Sequence, residues 1–367
     1  MFHLIITCDY ELPTGVHGDV RRHMITPTEE LLSTCEHVGA KLTIMAEMAE
    51  LWAFENPANS GYATCLGYDP AAAIRRQLHS AIMRGHDVQL HLHPQWINAV
   101  WTAPEWQLDY SHYRLTDFSQ AEMVEVLRRG RRDLEEHLAS AAADYHCMGF
   151  RAGNWSTAPS ARFLAAIEAA GFRSDTSVFK WGVVEDGAAA FDYRTAYSNV
   201  LAWFPDPCDI NRAIAAAGIV EVPIATEYVR GFRLLTPRRL SLALSILRQD
   251  RKVATATTRS SGVLKSSGWG RRAIKVFGFH PRKLDFSKMS AKEMISAIKS
   301  LIRQSVTVAE RLPVPIVMIG HSKDLPRAAE LGRVLTFLRD NEENVQFSSY
   351  REFVSSYLSY TSAGATC

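Results

Sequence analysis

The sequence lacks the features that mark several classes of protein. Its six cysteines include no pair at C-x-x-C spacing, so neither a zinc ribbon nor a disulfide framework is indicated. No uncharged apolar stretch is long enough to span a bilayer. Lys and Arg number 41 against 39 Asp and Glu, and this balance provides no overall field that would select a nucleic-acid partner.

The start of the chain also lacks the pattern of a secretory signal peptide. No basic region precedes the apolar run Leu4–Thr7, which is short and continues into Cys8 and Asp9. Signal peptides combine a basic segment with a longer apolar one. We therefore interpret the run as a first strand and expect a cytoplasmic protein with reduced cysteines.

Short apolar runs alternate with helical patterns along the 367 residues. Predicted strands are 3–8, 41–46, 87–92, 147–151, 173–178, 219–224, 315–320 and 345–348. Predicted helices are 27–38, 70–84, 119–141, 158–170, 290–311 and 325–339. Strand followed by helix, repeated about seven or eight times, predicts an α/β barrel with a mostly parallel sheet.

Acidic and imidazole side chains close three of these apolar runs. Asp9 and Glu11 follow the first, His91 and His93 the third, and His321 a late one. Side chains two apart on a strand share a face, so each pair points the same way. Barrel active sites lie at the C-terminal ends of the strands. Two imidazoles and a carboxylate in this place suit a hydrolytic Zn²⁺, Fe²⁺ or Co²⁺ site.

Five motifs resemble those of the polysaccharide deacetylase family, the NodB-homology or carbohydrate esterase 4 group. They are Thr7–Glu11, Gly85–Pro94, Phe150–Gly153, Asp175–Ser177 and Ile319–His321. The resemblance implies a distorted (β/α)7 barrel with insertions, a divalent metal, and removal of acyl groups from N-acylated sugars. Tyr10 stands where that family has a second Asp, and Gln95 stands where it has its second His. The chain therefore resembles a divergent D-x-E and H-x-H branch.

The resemblance implies a metal held by Glu11, His91 and His93. Zinc is the first expectation, with cobalt, iron or nickel as alternatives. Asp9 would then be the general base that takes a proton from water. Whether Asp9 or Glu11 is the carboxylate ligand stays open, and Glu11 would become the base if Asp9 binds the metal.

Three further residues complete the predicted catalytic set. Arg151 would pair with Asp9 and keep its carboxylate ionised and oriented. His321 would protonate the leaving amine, and Asp175 would orient His321 and favour its imidazolium form.

Substrate contacts are predicted from aromatic residues near these motifs. Trp96 and Trp155 each lie within five residues of a proposed site residue, and indoles stack on the apolar faces of sugar rings. Glu221 precedes Val222 and Pro223 at a strand end, where it could contact substrate hydroxyl groups.

Basic residues are concentrated in one part of the chain. Between Arg230 and Lys283 the sequence has fourteen Lys or Arg residues and one acid, Asp250. We interpret 226–289 as a basic insertion within a single catalytic barrel made of 1–225 and 290–367. Such a segment would attract a diphosphate-linked donor or an anionic membrane surface.

The sequence thus predicts a metal-dependent deacetylase acting on an N-acylated sugar. That sugar is expected to be a nucleotide- or lipid-linked intermediate of surface polysaccharide or O-antigen biosynthesis. Three alternatives stay open: a metal-free amide hydrolase, a glycoside hydrolase on the same barrel, and a non-catalytic carbohydrate-binding protein. A glycoside hydrolase would need two carboxylates flanking the bond, and Asp9 with Asp175 is the candidate pair.

Overall fold

The chain divides into two compact units. A computed structural model describes residues 1–13, 18–185, 187–215, 218–231 and 278–364. One unit consists of Met1–Thr226 and Lys283–Cys367, and the other of Glu227–Arg282. Residues 283–289, which the sequence analysis placed in the basic insertion, group with the first unit.

The described residues form strands connected by helices and short turns. The strands are β1 (Phe2–Tyr10), β2 (Leu42–Glu47), β3 (Asp87–Leu92), β4 (Val100–Thr102), β5 (Glu105–Gln107), β6 (Gly149–Ala152), β7 (Ser174–Asp175), β8 (Val183–Val184), β9 (Phe191–Asp192), β10 (Phe204–Asp206), β11 (Asp209–Ile214), β12 (Val220–Glu221), β13 (Thr226–Arg230), β14 (Phe279–Lys283), β15 (Val314–His321) and β16 (Val345–Phe347). The helices are α1 (Thr26–Glu36), α2 (Met48–Glu55), α3 (Ser60–Leu66), α4 (Pro70–Met83), α5 (Gln120–Leu138), α6 (Ser160–Ala169), α7 (Ala291–Ala309), α8 (Ala328–Asn341) and α9 (Tyr350–Gly364). None of these helices combines the length and the apolar character that crossing a bilayer requires.

Seven strands of the first unit form one curled parallel sheet. Their order is β12-β7-β6-β3-β2-β1-β15, and β16 pairs with the beginning of β1. Every residue of β1, β2, β3 and β15 is buried, as expected where a parallel sheet is covered on both faces. The predicted distorted (β/α)7 barrel is confirmed.

The sheet closes on itself next to β15. Ile224, three residues beyond the end of β12, bridges Val317 in parallel orientation, and the Ala225 amide donates to the Val317 carbonyl at 3.0 Å. On the same side of β15, Asp285 forms a parallel bridge with Ile319. The chain just before the second unit and the chain just after it therefore both complete the barrel wall.

Local sequence signals mark the start of the long helices α5 and α7 but do not reveal the buried helix α2. Capping boxes begin α5 and α7, where Ser119 and Ser290 each exchange hydrogen bonds with the third residue of the helix. The sequence analysis missed α2, because Met48–Phe54 is buried throughout and shows no amphipathic stripe. It also missed α9, although the spacing of its four buried residues is helical. These residues are Tyr350, Phe353, Val354 and Tyr357.

The second unit is described only at its two ends. Arg282 pairs with Glu227 at 2.6 Å between Nη2 and Oε2. The rings of Tyr228 and Phe279 stack with centroids 5.4 Å apart, and the Arg230 guanidinium lies over Phe279. The predicted membrane or diphosphate contact through 230–283 falls largely on 232–277, which lies outside the described residues.

The buried histidine at the start of β1 makes stability depend on pH. Burial lowers the pKa of His3 to about 4, below the ordinary value of an unfolded histidine. The unfolded chain therefore binds a proton below about pH 6.5 that the folded chain does not, and stability falls as the pH drops towards 4. Between pH 7 and pH 5 we expect this residue to account for a loss of about 2 kcal/mol.

Urea unfolding at the two pH values checks this expectation. A His3→Gln variant should lose less stability on acidification than the native protein. The matched control is His146→Gln, because that imidazole is 73% exposed. Equal pH slopes for the native protein and the His3 variant would contradict the prediction.

Candidate active site

Sheet register brings the chemical side chains together at the C-terminal edge of the barrel. Asp9 on β1 lies opposite His321 on β15. His91 on β3 lies between Glu47 on β2 and Arg151 on β6. Residues in register on parallel strands point to the same face, so all five side chains are directed into the barrel mouth.

Glu11 joins the two histidines of the H-x-H motif. Its Oε2 atom lies 3.4 Å from His91 Nε2 and 3.3 Å from His93 Nε2, and all three side chains are at most 6% exposed. The Nδ1 atom of His91 lies 2.9 Å from the Arg151 carbonyl oxygen. A carbonyl can only accept, so His91 Nδ1 carries a proton, and His91 Nε2 is the ring atom that faces Glu11.

Several polar atoms in this cluster have no hydrogen-bond partner. They include Glu11 Oε2, Glu47 Oε2 and His91 Nε2, each buried and without a partner in the described residues. Buried polar atoms nearly always have a hydrogen-bond partner. A group of unpartnered acceptor atoms that point to one place therefore indicates a binding site for a cation. One ligand atom from each of Glu11, Glu47, His91 and His93 lies within 4.8 Å of the others. The donor set therefore fits a divalent metal, and the fixed tautomer of His91 is typical of a metal-bound histidine.

The surroundings shift the pKa values of the two imidazoles in opposite directions. Burial opposes the protonation of His91, but Glu11 and Asp9 outweigh it and raise the pKa of His91 to about 9. Burial lowers the pKa of His93 to about 3. Burial also raises the pKa of Glu47 to about 8. Glu11 and Asp9 therefore concentrate negative charge at His91, which favours a bound cation, whether a proton or a metal.

Asp9 lies between a buried cation and an imidazole. Its Oδ1 atom accepts from Arg151 Nη1 at 2.5 Å, and its Oδ2 atom lies 3.4 Å from His321 Nε2. Arg151 is held in place because its Nε donates to the Thr176 carbonyl and its Nη2 donates to the Thr7 hydroxyl, both at 3.0 Å. Burial opposes ionisation of Asp9, yet Arg151 and the neighbouring imidazoles lower the pKa of Asp9 below its ordinary value.

These side chains surround a cleft of about 230 Å³. Lys323 lies on one side of the cleft, where its Nζ is 2.7 Å from Glu11 Oε1. The cleft is lined by Asp9, Glu11, His91, His93, Ala152, Asn154, Trp155, Lys288, His321, Lys323 and Asp324. The cleft thus combines the imidazole–carboxylate cluster, the Asp9–His321 pair and one indole.

Trp155 forms the aromatic part of this wall. Its ring meets the His321 ring edge-on, with centroids 5.8 Å apart. The Lys283 ammonium lies 3.0 Å from the Trp155 ring centroid, a cation–π contact. Burial lowers the pKa of Lys283 to about 7. The predicted substrate residue Trp155 therefore lies in the cleft, where its ring contacts His321 and Lys283.

Asp175 does not have the partner that the sequence analysis expected. Its carboxylate accepts from the Ser177 amide at 3.0 Å and from the Ser177 hydroxyl at 2.8 Å. In the described part of the chain, the carboxylates within 4.0 Å of His321 are Asp9, Glu11 and Asp324. The expected contact between Asp175 and His321 is not among these, because the β7 end turns Asp175 towards Ser177.

Glu221 was expected beside the substrate, but it lies in the protein interior. It is fully buried, and its Oε1 accepts from the Val178 amide at 3.1 Å. It does not line the cleft. The Glu221 side chain therefore connects β12 to the chain after β7 through Val178 and lies outside the cleft in which the contact with substrate hydroxyl groups was expected.

Trp96 is a core residue. It is 1% exposed, and its ring packs against Trp106 and Phe54 with centroids 5.3 Å and 6.1 Å away. The loop that follows β3 folds back over α2 and buries the indole, so Trp96 cannot offer a face to a sugar. Trp96 thus lies in the core rather than in the cleft, where the stacking role was expected.

The two tryptophans should respond differently to truncation. We expect Trp96→Ala to lower stability by about 3–5 kcal/mol, as for other buried aromatic residues, with little change in KM. We expect Trp155→Ala to raise KM while costing less stability, because that ring lines the cleft. Denaturant unfolding and steady-state kinetics on both variants check this; a raised KM for Trp96→Ala alone would contradict the assignment.

Two residues of the site were missed by the sequence analysis. Glu47 follows Ala46 at the end of the second predicted strand, the position that singled out Asp9 and His91, so the signal was available. Lys323 lies two residues after His321, and its approach to Glu11 depends on a contact between distant parts of the chain.

Fold and site together define a (β/α)7 barrel with a buried imidazole–carboxylate cluster at the C-terminal ends of its strands. No family model matches the chain, and no curated protein matches it. The solved structures similar to it include the following three. A protein from Mycobacterium smegmatis described as a polysaccharide deacetylase shares 13% identity, with 98% of this chain and 90% of that chain covered and a TM-score of 0.47.

The other two similar structures are enzymes with different names. An allantoinase shares 12% identity, with 98% of this chain and 90% of its own covered and a TM-score of 0.48. A GH57-type branching enzyme from Pyrococcus horikoshii shares 10% identity, with 96% and 70% covered and a TM-score of 0.46. At these identities the similarity concerns the fold alone, and the site has to decide the function.

Proposed function

We propose that this protein is a metal-dependent amide hydrolase that removes an acyl group from an N-acylated sugar. The observation that carries the proposal is the convergence of Glu11, His91 and His93 beside the Asp9–His321 pair. Two of the converging atoms, Glu11 Oε2 and His91 Nε2, have no hydrogen-bond partner in the described residues. The first group can hold a cation and the second can move a proton, and hydrolysis of an amide needs both. The sequence motifs that resemble the deacetylase family lie at these same strand ends.

The cation would be held by Glu11, His91 and His93. When bound, it would polarise the scissile carbonyl and lower the pKa of the attacking water. The chain contributes the second coordination shell, because the Arg151 carbonyl oxygen fixes the tautomer of His91 and Lys323 holds the other oxygen of Glu11.

Asp9 and His321 would handle the protons. Asp9 Oδ2 has no hydrogen-bond partner in the described residues and can accept a proton from the attacking water. Since His321 Nε2 lies 3.4 Å away, that proton can pass to the imidazole and then to the leaving amine. Arg151 orients Asp9 and keeps it ionised between turnovers.

The substrate class follows from the cleft and from the motifs. Trp155 offers an indole face beside His321, which suits the apolar face of a sugar ring. We propose an N-acylated sugar carried on a nucleotide or lipid diphosphate, in surface polysaccharide or O-antigen biosynthesis. The support for the diphosphate is the basic composition of 230–283, and we propose zinc as the first metal to test.

The glycoside hydrolase alternative is disfavoured by the position of its second carboxylate. Asp175 is fully buried and its carboxylate accepts both hydrogen bonds from Ser177, so it is not placed to flank a glycosidic bond together with Asp9. A metal-free amide hydrolase and a non-catalytic sugar-binding protein are separated from the proposal by experiment.

The test is to incubate the purified protein, with and without added Zn²⁺ or Co²⁺, with N-acetylated UDP-sugars. We expect metal-stimulated release of acetate and of a free amine on the sugar. Release of reducing ends without acetate would favour a glycoside hydrolase. Release of acetate that a strong chelator leaves unchanged would favour metal-free hydrolysis, and saccharide binding without turnover would favour a binding protein.

A further inference from the structure

A second acidic side chain faces the H-x-H histidines from the neighbouring strand. Glu47 is the last residue of β2 and lies in register with His91 on β3. Residues in register on parallel strands share a face, so the Glu47 carboxylate enters the same space as the His91 imidazole. Glu47 is 3% exposed, which means that it reaches the cluster from within the barrel wall.

The two oxygens of Glu47 differ in what they contact. Oε1 accepts from the Ala49 amide at 2.9 Å and so caps the start of α2. Oε2 is buried and has no hydrogen-bond partner in the described residues. The helix cap therefore accounts for one oxygen and leaves the second to the cluster, where a ligand atom of Glu47 lies within 4.8 Å of those of Glu11, His91 and His93.

We propose that Glu47 is a fourth protein ligand of the metal, with Glu11, His91 and His93. This inference rests on the metal site of the proposed function and extends it. Asp9 stays outside this ligand set, because its Oδ1 is bound by the Arg151 guanidinium and its Oδ2 faces His321. The inference thus assigns Glu11, rather than Asp9, as the carboxylate ligand of the D-x-E motif.

A set of two imidazoles and two carboxylates has a consequence for the choice of metal. Zinc with four protein ligands is usually a closed structural site, without a position for water. A hydrolytic site with four protein ligands needs an ion that accepts more than four, such as Fe²⁺, Co²⁺ or Mn²⁺. We therefore expect Fe²⁺, Co²⁺ or Mn²⁺ to support a higher activity than zinc, which is tested first and serves as the reference.

Co²⁺ binding to the full-length protein tests the ligand assignment. The variant is Glu47→Gln, because glutamine keeps an oxygen that can cap α2 and has an amide nitrogen in place of the second carboxylate oxygen. The matched control is Asp87→Asn, the same acid-to-amide change in a buried carboxyl at the opposite end of β3. Affinity is measured by competition with a chelator of known strength, and the ligand environment by the visible absorption of Co²⁺.

We expect Glu47→Gln to weaken Co²⁺ binding by more than the roughly 10–100-fold that loss of an outer-shell partner costs, and to change the Co²⁺ absorption bands. Asp87→Asn should keep the native affinity and spectrum. Native affinity and spectrum in Glu47→Gln would overturn the inference and reduce Glu47 to a helix cap.

A second measurement covers the case in which Glu47→Gln does not fold. In a crystal structure of the Co²⁺-loaded native protein, Glu47 Oε2 should lie at bonding distance from the anomalous scatterer, about 2.0–2.2 Å as for other carboxylate ligands. A longer distance with Glu11, His91 and His93 bound would overturn this inference alone. Absence of any tight Co²⁺ or Zn²⁺ binding by the native protein would instead overturn the proposed metal dependence.

Discussion

The His91→Ala, His93→Ala double variant is expected to lose its bound metal and, with it, all measurable acyl release. Two of the nitrogen donors of the cluster are removed, and the remaining carboxylates then face each other without a cation between them. Elemental analysis should give about one equivalent of metal for the native protein and none for the variant. A strong chelator should have the same effect on the native protein, and added metal should reverse it.

The control for this double variant is His86→Ala. His86 is also buried, but it precedes β3, and its ring lies beside the Leu42 amide and Glu36. This variant should bind metal as the native protein does, even if it is less stable. Native metal content and activity in the double variant would contradict the metal site and leave a metal-free hydrolase as the better hypothesis.

Asp9→Asn is expected to abolish most of the activity while the metal stays bound. The loss should be about 10²–10⁴-fold in kcat, the usual contribution of a general base. Glu11, His91 and His93 are unchanged in this variant, so metal content should be native. Loss of metal from Asp9→Asn would contradict the assignment and identify Asp9 as a ligand, with Glu11 as the candidate base.

The same substitution should also reduce stability, because Arg151 is fully buried and Asp9 is its carboxylate partner. Removing one partner of a buried ion pair costs about 3–5 kcal/mol. An Asp9→Asn, Arg151→Met double variant should recover part of this stability and none of the activity. Asp87→Asn serves again as the control, since it changes a buried carboxyl away from the cleft and should leave kcat near the native value.

Alternating apolar runs and the residues that follow them determined much of this structure without any tertiary information. The third strand was predicted as 87–92 and is observed as Asp87–Leu92, because it is a short apolar run that ends at Pro94. Strand ends on a parallel barrel share one edge. The sequence therefore predicted correctly that Asp9, His91, Arg151 and His321 lie at the same mouth, although their roles stay predictions.

Partners of individual side chains were decided by the tertiary structure. Trp96 became a core residue because the loop after β3 packs on Phe54 of α2, a contact that no local pattern specifies. Asp175 was assigned to His321 by analogy between motifs, yet the turn after β7 directs it to Ser177.

Features that depend on neighbouring residues could be predicted from the sequence, and contacts between distant residues could not. Hydrophobic periodicity and helix caps act over a few residues, so the sequence by itself determined the barrel elements and the strand ends that carry the chemistry. Which oxygen of Glu11 meets Lys323 and which meets His91 depends on residues far apart in the chain. Only the packing of the closed barrel decided those contacts, because it alone brings β1, β3 and β15 within hydrogen-bonding distance of one another.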